Sequence, residues 1–224
     1  MDTLRERKKR RTRNALLRAA AELFTSQGYD GTTVDEIAEA VDVSQRTFFR
    51  YFAGKDEAAL GLVEMTVARF VEAVRDRPPG EAPMRALRGA VIEGWYAINE
   101  VVESVVPVEL YLRMYRVIEE TPVLLAAHLR RSAEVEEDLA RVIAEREGLD
   151  VDADPRPRLA VAVFSGAMRA AERQWSAGGE LGPEAIRLIT ARCLDGLGPA
   201  LLGDWREPER AAASGSGSGR LAQA

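Results

Sequence analysis

Between residues 33 and 57 the chain spells two short helices with a tight turn between them, each announced by its own cap. The stretch runs Thr33-Val-Asp-Glu-Ile-Ala-Glu-Ala, Val41-Asp-Val, Ser44-Gln-Arg-Thr-Phe-Phe-Arg-Tyr-Phe and Ala53-Gly-Lys-Asp-Glu. Thr33 followed three residues later by Glu36 is the pattern of a capping box, in which each side chain satisfies a backbone N–H of the other residue. Val34, Ile37, Ala38 and Val41 follow at helical spacing and give one apolar face. Ser44 supplies a cap oxygen for the second helix. Phe48 and Phe52 lie four apart and can be buried together. That arrangement leaves Gln45, Arg46, Phe49 and Arg50 on the opposite face, where nothing in the segment needs them. A short helix anchored by two aromatics and presenting amide and guanidinium groups suits the major groove of DNA.

The text around this pair extends the pattern: Ala-Ala-Glu-Leu-Phe at 20–24, Gly-Tyr-Asp-Gly-Thr-Thr-Val at 28–34, Ile37-Ala38-Glu39, Val43-Ser44, Thr47-Phe-Phe-Arg-Tyr-Phe52 and Lys55-Asp-Glu. In this order, from about Arg13 to Leu60, it closely resembles the DNA-binding domain of the tetracycline-repressor (TetR) family of bacterial regulators. The resemblance implies that Thr33, Thr47, Tyr51 and Lys55 contact DNA phosphates, while Ser44, Gln45, Arg46, Phe49 and Arg50 belong to the recognition helix. Two residues depart from the family pattern. Asp42 stands where a turn glycine is usual, and Asp tolerates positive φ better than most residues. Phe49 stands where a tyrosine is usual, so a hydroxyl contact to phosphate is lost, although a thymine methyl or a sugar remains within its chemistry.

A net charge of −5 over 224 residues does not look like a nucleic-acid binder, but the distribution does. Arg5, Arg7, Lys8, Lys9, Arg10, Arg11, Arg13 and Arg18 crowd the start against Asp2 and Glu6, and acid dominates later. A basic head on an acidic body is the expected footprint. The basic start is not read as a signal peptide, because Arg18 and Glu22 break the apolar stretch behind it. No apolar run is long enough to span a bilayer, so a cytoplasmic protein with no membrane partner is expected. One cysteine, Cys193, and one histidine, His128, allow no internal disulfide and no His/Cys metal site. No cofactor is implied.

Every periodic segment is helical, so the expected fold class is all-α. A three-helix helix-turn-helix DNA-binding domain spans 1–56, a helical bundle for ligand binding and dimerisation spans 57–203, and a disordered Ser-Gly-rich tail follows at 204–224. The first helix is expected from about residue 10 to Gln27, the fourth from Lys55 to about Arg75, and the fifth from about Met84 to Val105. The sixth carries Leu110 to Ile118, and the seventh starts at Thr121-Pro122, runs to Glu147 and has an apolar line through Leu125, Leu129, Leu139 and Val142. The eighth is expected over Arg158 to Ser176 and the ninth over Pro183 to about Leu201.

In the family the body holds a small molecule, and the resemblance carries this expectation to the soft and aromatic residues Trp95, Tyr111, Met114, Tyr115, Phe164 and Met168. Each of these also reads as ordinary core. His128, on a charged helix, reads as solvated, and the abundant Glu and Asp as surface residues. Residues 121–148 also resemble, more weakly, the subgroup that senses acyl-coenzyme A, with Arg130 and Arg131 as groups that could meet its phosphates. Ala160, Ala162, Gly166, Ala167, Ala170 and Ala171 give the eighth helix small faces, and the resemblance implies a homodimer through it and the ninth helix, with Ala167 and Ala171 expected at the contact.

The expectation is a ligand-responsive, one-component transcriptional regulator, not an enzyme. As a homodimer it would bind a pseudo-palindromic double-stranded operator, acting as a repressor released by a small apolar molecule or acyl-coenzyme A. Two alternatives stay open at this point: a helical enzyme and a ligand-blind DNA-binding protein. No nucleophile elbow, phosphate loop or metal spacing supports the first, and the long aromatic-rich body weighs against the second.

Overall fold

The structure, a computed structural model, describes residues 3–178 and 182–198, without the side chains of 96–101. Among the described residues the chain is all helix: α1 Leu4–Gln27, α2 Val34–Glu39, α3 Gln45–Phe49, α4 Lys55–Arg75, α5 Pro83–Val102, α6 Val108–Glu120, α7 Pro122–Glu147, α8 Arg156–Ala177 and α9 Pro183–Asp195. The expected tail at 204–224 and the expected end of the ninth helix near Leu201 lie outside the described residues.

Helix α1 starts at Leu4 rather than near residue 10. Thr3 accepts the Glu6 N–H at 3.3 Å, and the Glu6 carboxylate accepts the Thr3 N–H at 2.7 Å. This capping box precedes a run of exposed basic residues with no apolar face, so periodicity alone misses the first two turns. Further on, Leu16, Leu17, Ala20 and Phe24 turn inward and pack with Ile37, Phe48, Phe52, Leu62 and Val63. Gly61 lets α1 and α4 approach closely: a Cβ there would stand 2.5 Å from the Leu17 Cδ2.

The same apolar cluster runs without a break into the body, through Val105, Val106, Tyr111, Met114, Tyr115, Ile118 and Trp175. A second cluster gathers Val74, Leu87, Leu139, Val142, Ile143, Val161, Phe164 and Leu194. Helix α4 passes through both, with Leu60, Leu62 and Val63 in the first and Phe70, Val71 and Val74 in the second. The segment that follows it is tied down by one side chain of α7: Arg146 donates to the carbonyls of Val74, Arg77 and Pro78 at 3.3, 2.8 and 3.0 Å. Helix α7 ends on Gly148 at φ 66°, the left-handed stop a glycine supplies. Its apolar line is shorter than expected: Leu139 and Val142 are buried, but Leu129 is 45% exposed.

Candidate functional site

The recognition element is built almost wholly from neighbours in sequence. Thr33 Oγ1 accepts the Glu36 N–H at 3.2 Å, and the Glu36 carboxylate takes the Thr33 N–H and hydroxyl, each at 2.8 Å. Those bonds hold the Glu36 carboxyl below its ordinary range. Asp42 takes φ 55°, so the turn adopts the left-handed conformation that a glycine would otherwise provide. Ser44 Oγ accepts the Thr47 N–H at 3.2 Å and lies 3.0 Å from the Thr47 hydroxyl. Phe48 and Phe52 are buried with ring centroids 5.5 Å apart, and the Arg13 guanidinium stands 5.2 Å from the Phe52 centroid. Gln45, Arg46, Phe49 and Arg50 are exposed together on the outer face of α3, as their spacing predicts. The Arg50 guanidinium lies 5.1 Å from the centroid of Tyr51.

Two of the expected phosphate contacts also have internal duties. The Lys55 ammonium donates to the carbonyls of Tyr29 and Thr32 at 2.8 and 3.0 Å and sits 4.2 Å from the Tyr29 ring centroid. Two of its three N–H groups thus tie α4 to the loop before α2, leaving one to face outward. The Thr33 hydroxyl is spent on its cap. The N-terminus of α4, a place suited to a phosphate, has the Glu57 carboxylate turned back onto the Ala53 N–H.

The six body residues expected to line one pocket fall into two groups. Trp95, Tyr111, Met114 and Tyr115 lie in or against the cluster shared with the head, whereas Phe164 and Met168 belong to the second cluster, where Phe164 stacks on Phe70 at 5.6 Å. A cleft of about 520 Å³ between α1 and α6 is lined by other residues, among them Arg18, Glu22, Glu109 and Arg113.

Around Tyr115 several polar groups are drawn out of water. The Tyr111 hydroxyl lies 3.3 Å from Thr66 Oγ1, and burial pushes its pKa up to about 12. Tyr115 is 8% exposed, and its pKa is raised well above the ordinary value, first by burial and then by the nearby Glu172 carboxylate. Trp175 lies edge-on to it at 6.1 Å, and its Nε1–H is without a partner. His128 is not the solvated residue its charged helix suggests: it is half-buried, meets Tyr115 edge-on at 5.8 Å, and burial lowers its pKa.

Two acids read as surface residues join this group. Burial pushes the Glu172 carboxyl up to about 7 and raises that of Glu119. A sequence signal for Glu172 existed: Met168, Ala171, Glu172 and Trp175 follow the i, i+3, i+4, i+7 spacing of an inward stripe.

The outer faces of α8 and α9 carry Leu159 and Leu188, 59% and 50% exposed, with Ala162 and Ala170 also exposed. Ala167 and Ala171 are buried inside the protomer, so the face open to a second copy is a different stripe of α8 from the one expected.

The head matches the description "Bacterial regulatory proteins, tetR family" over residues 16–59, and the body matches "MftR C-terminal domain" over 81–198. The chain is 46% identical over 205 residues to the HTH-type transcriptional regulator TcmR of Streptomyces glaucescens, covering 92% of this chain and 91% of that one. It is 32% identical over 130 residues to the putative mycofactocin biosynthesis transcriptional regulator MftR of Mycobacterium tuberculosis, covering 58% and 62%. Among solved structures, a SmeT–triclosan complex has TM-score 0.58 at 18% identity over 84% of this chain and 90% of that chain. NalD, the secondary repressor of the MexAB-OprM multidrug efflux pump in Pseudomonas aeruginosa, has TM-score 0.56 at 18% identity over 89% and 100%. A recognition helix locked by local caps, joined to a body that shares nearly its whole length with TcmR, places this chain in the TetR family of bacterial transcriptional regulators.

Proposed function

We propose that this regulator is a homodimeric, cytoplasmic repressor that binds a pseudo-palindromic operator and lets go when a small molecule enters the body. The observation that carries the DNA reading is the outward set Gln45, Arg46, Phe49 and Arg50 on a helix whose inner face is fixed by Phe48 and Phe52. Gln45, Arg46 and Arg50 reach purine edges, and Phe49 meets a thymine methyl. Thr47, Tyr51, Thr33 and the outward N–H of Lys55 position the head on phosphates, and the exposed basic turns of α1 add sequence-independent attraction. The functional division follows residues 1–56 and 57–203. Two copies joined through the Leu159, Ala162, Ala170 and Leu188 faces set the spacing of two heads.

The effector enters beside Trp95, Tyr111, Met114 and Tyr115, where buried polar atoms wait for partners. Helix α6, which carries three of these residues, packs on α1, and the Arg18 Nε–H donates to the Val105 carbonyl at 2.8 Å just before α6. A ligand that prefers one setting of α6 therefore favours one placement of the heads. An acyl-coenzyme A effector fits less well than a compact one. Arg131 is held by Glu64 at 2.9 Å and Glu134 at 3.1 Å, which leaves Arg130 alone for the coenzyme phosphates. Arg46→Ala and Arg50→Ala test the reading of DNA. On a site enriched from random duplexes, each costs about 1–3 kcal/mol and relaxes one base position per half-site. An unchanged consensus with both variants contradicts the assignment.

A further inference from the structure

The first two turns of α1 have nothing to pack on. Leu4 is 77% exposed and every residue from Thr3 to Arg11 is open to solvent, whereas full burial begins at Leu16 and Leu17. The charge pattern there does not help the helix. Arg5 and Lys9, Arg7 and Arg11, and Lys9 and Arg13 are like charges one turn apart, and cations near a helix start oppose its dipole. The Thr3–Glu6 capping box offsets part of this cost and holds the run helical in the free chain. A self-repelling run kept in one shape is relieved by negative charge from outside, and the acidic remainder of the chain makes that local charge matter for a polyanion.

Arg13 shows where the run points. Its guanidinium stands 5.2 Å from the Phe52 ring centroid, and a Cβ on Gly61 would lie 3.7 Å from its Nη2, so it sits at the end of the recognition segment and against α4. By helical spacing Arg13 belongs to the stripe of Leu16, Ala20 and Phe24, which faces the core of the head. Lys9 and Arg5 continue that stripe past the edge of the head, reaching about 12 Å beyond Arg13. Arg7 and Arg11 fall on the opposite side. We propose that this run is a second DNA contact, a pre-folded cationic strut whose Arg5–Lys9 stripe lies on backbone phosphates flanking the bases that α3 reads. The proposal rests on α3 reading an operator and adds a hold on the duplex outside it. A membrane surface fits the run less well, because Leu4 is its one large apolar side chain and an interfacial helix needs an apolar face.

Two duplexes carrying the enriched operator test this with the full chain: one trimmed to the selected base pairs, the other extended by about one helical turn on each side. The parent binds the long duplex about tenfold tighter than the trimmed one at physiological salt. Arg5→Gln/Lys9→Gln removes that preference and lowers the salt slope on the long duplex by about two. Arg7→Gln/Arg11→Gln, with the same change of charge on the opposite side, keeps most of the preference. Thr3→Ala keeps every cation but loses the cap, and weakens the long duplex about fivefold. Circular dichroism and thermal melting verify that each variant is folded. Equal losses in the two double variants reduce the run to diffuse attraction and overturn the proposal. So does a parent that binds both duplexes alike, a Thr3→Ala variant that binds like the parent, or vesicles of phosphatidylserine and phosphatidylcholine bound as tightly as the long duplex. A parent that enriches no DNA sequence at all overturns the reading of α3 as well.

Discussion

In the head, Thr3 and Thr33 find their partners Glu6 and Glu36 three residues away, Ser44 finds Thr47, and Asp42 makes its own turn. In the body, Trp95, Arg116, Arg146, Trp175 and Thr190 each keep a buried polar atom without a partner, and no head residue among those described does so. A surface that must meet DNA with its side chains already in place is best held by short-range bonds, because these fix geometry at little entropic cost. A site that must accept a molecule and respond to it is left with groups the protein does not satisfy. The head is pre-set and the body is incomplete, and the two share one apolar cluster through α4 and α6.

The sharpest way to break this contrast lies on α8. Ala171→Glu puts a carboxylate into a site with no exposure and costs about 3–5 kcal/mol, seen as a collapse of the thermal transition. Its neighbour Ala170 is exposed, so Ala170→Glu leaves the protomer folded, and its transition falls only by what the lost partner contributed. That variant instead sediments as a monomer, because it charges the face between copies. If Ala170→Glu stays dimeric, the interface lies elsewhere.

Next in size is Gly61→Val. The new Cβ meets Leu17 on α1, and overpacking of this kind costs about 1–3 kcal/mol. Both the thermal midpoint and DNA affinity should fall, since α1 backs the recognition helix. Lys55→Met separates the two duties of that lysine. Loss of its bonds to the Tyr29 and Thr32 carbonyls lowers the melting temperature, and loss of its outward N–H weakens all DNA sequences alike. The slope of log affinity against log salt falls by about one. A lower melting temperature with an unchanged salt slope assigns Lys55 to the fold alone.

The last test belongs to the body. Glu172 has its carboxyl raised to about 7 in the folded chain, so the native state holds a proton that the unfolded chain gives up near the ordinary carboxylate range. Stability therefore declines as pH rises from that range through about 7. Glu172→Gln removes the decline: its melting temperature exceeds the parent's at pH 8 and approaches it at pH 5. Parallel curves for the two proteins over that range would remove the acid from the incomplete site.

What the sequence makes legible follows the same division. The caps of α2 and α3, the left-handed Asp42, and the end of α7 are all local chemistry, and the residues alone specify them. The start of α1 is also local, but a basic run without an apolar face hides it. In the body, Ala162 and Ala170 are exposed while Ala167 and Ala171 are buried, although all four are the same residue type on one helix. Only the packing of α7 and α9 against α8 chooses between the two small stripes. Glu172 shows the same limit. Its spacing marks an inward face, but its withdrawal from water depends on neighbours on other helices, Tyr115 of α6 among them.

The central claim is that two pre-set heads, held at fixed spacing by the body, read one operator. Selection of random DNA duplexes by the full chain tests it most directly. The account predicts enrichment of two inverted half-sites whose separation is constant across the pool, matching one turn of the duplex or a multiple of it. Enrichment of a single half-site, or of half-sites at scattered separations, contradicts it.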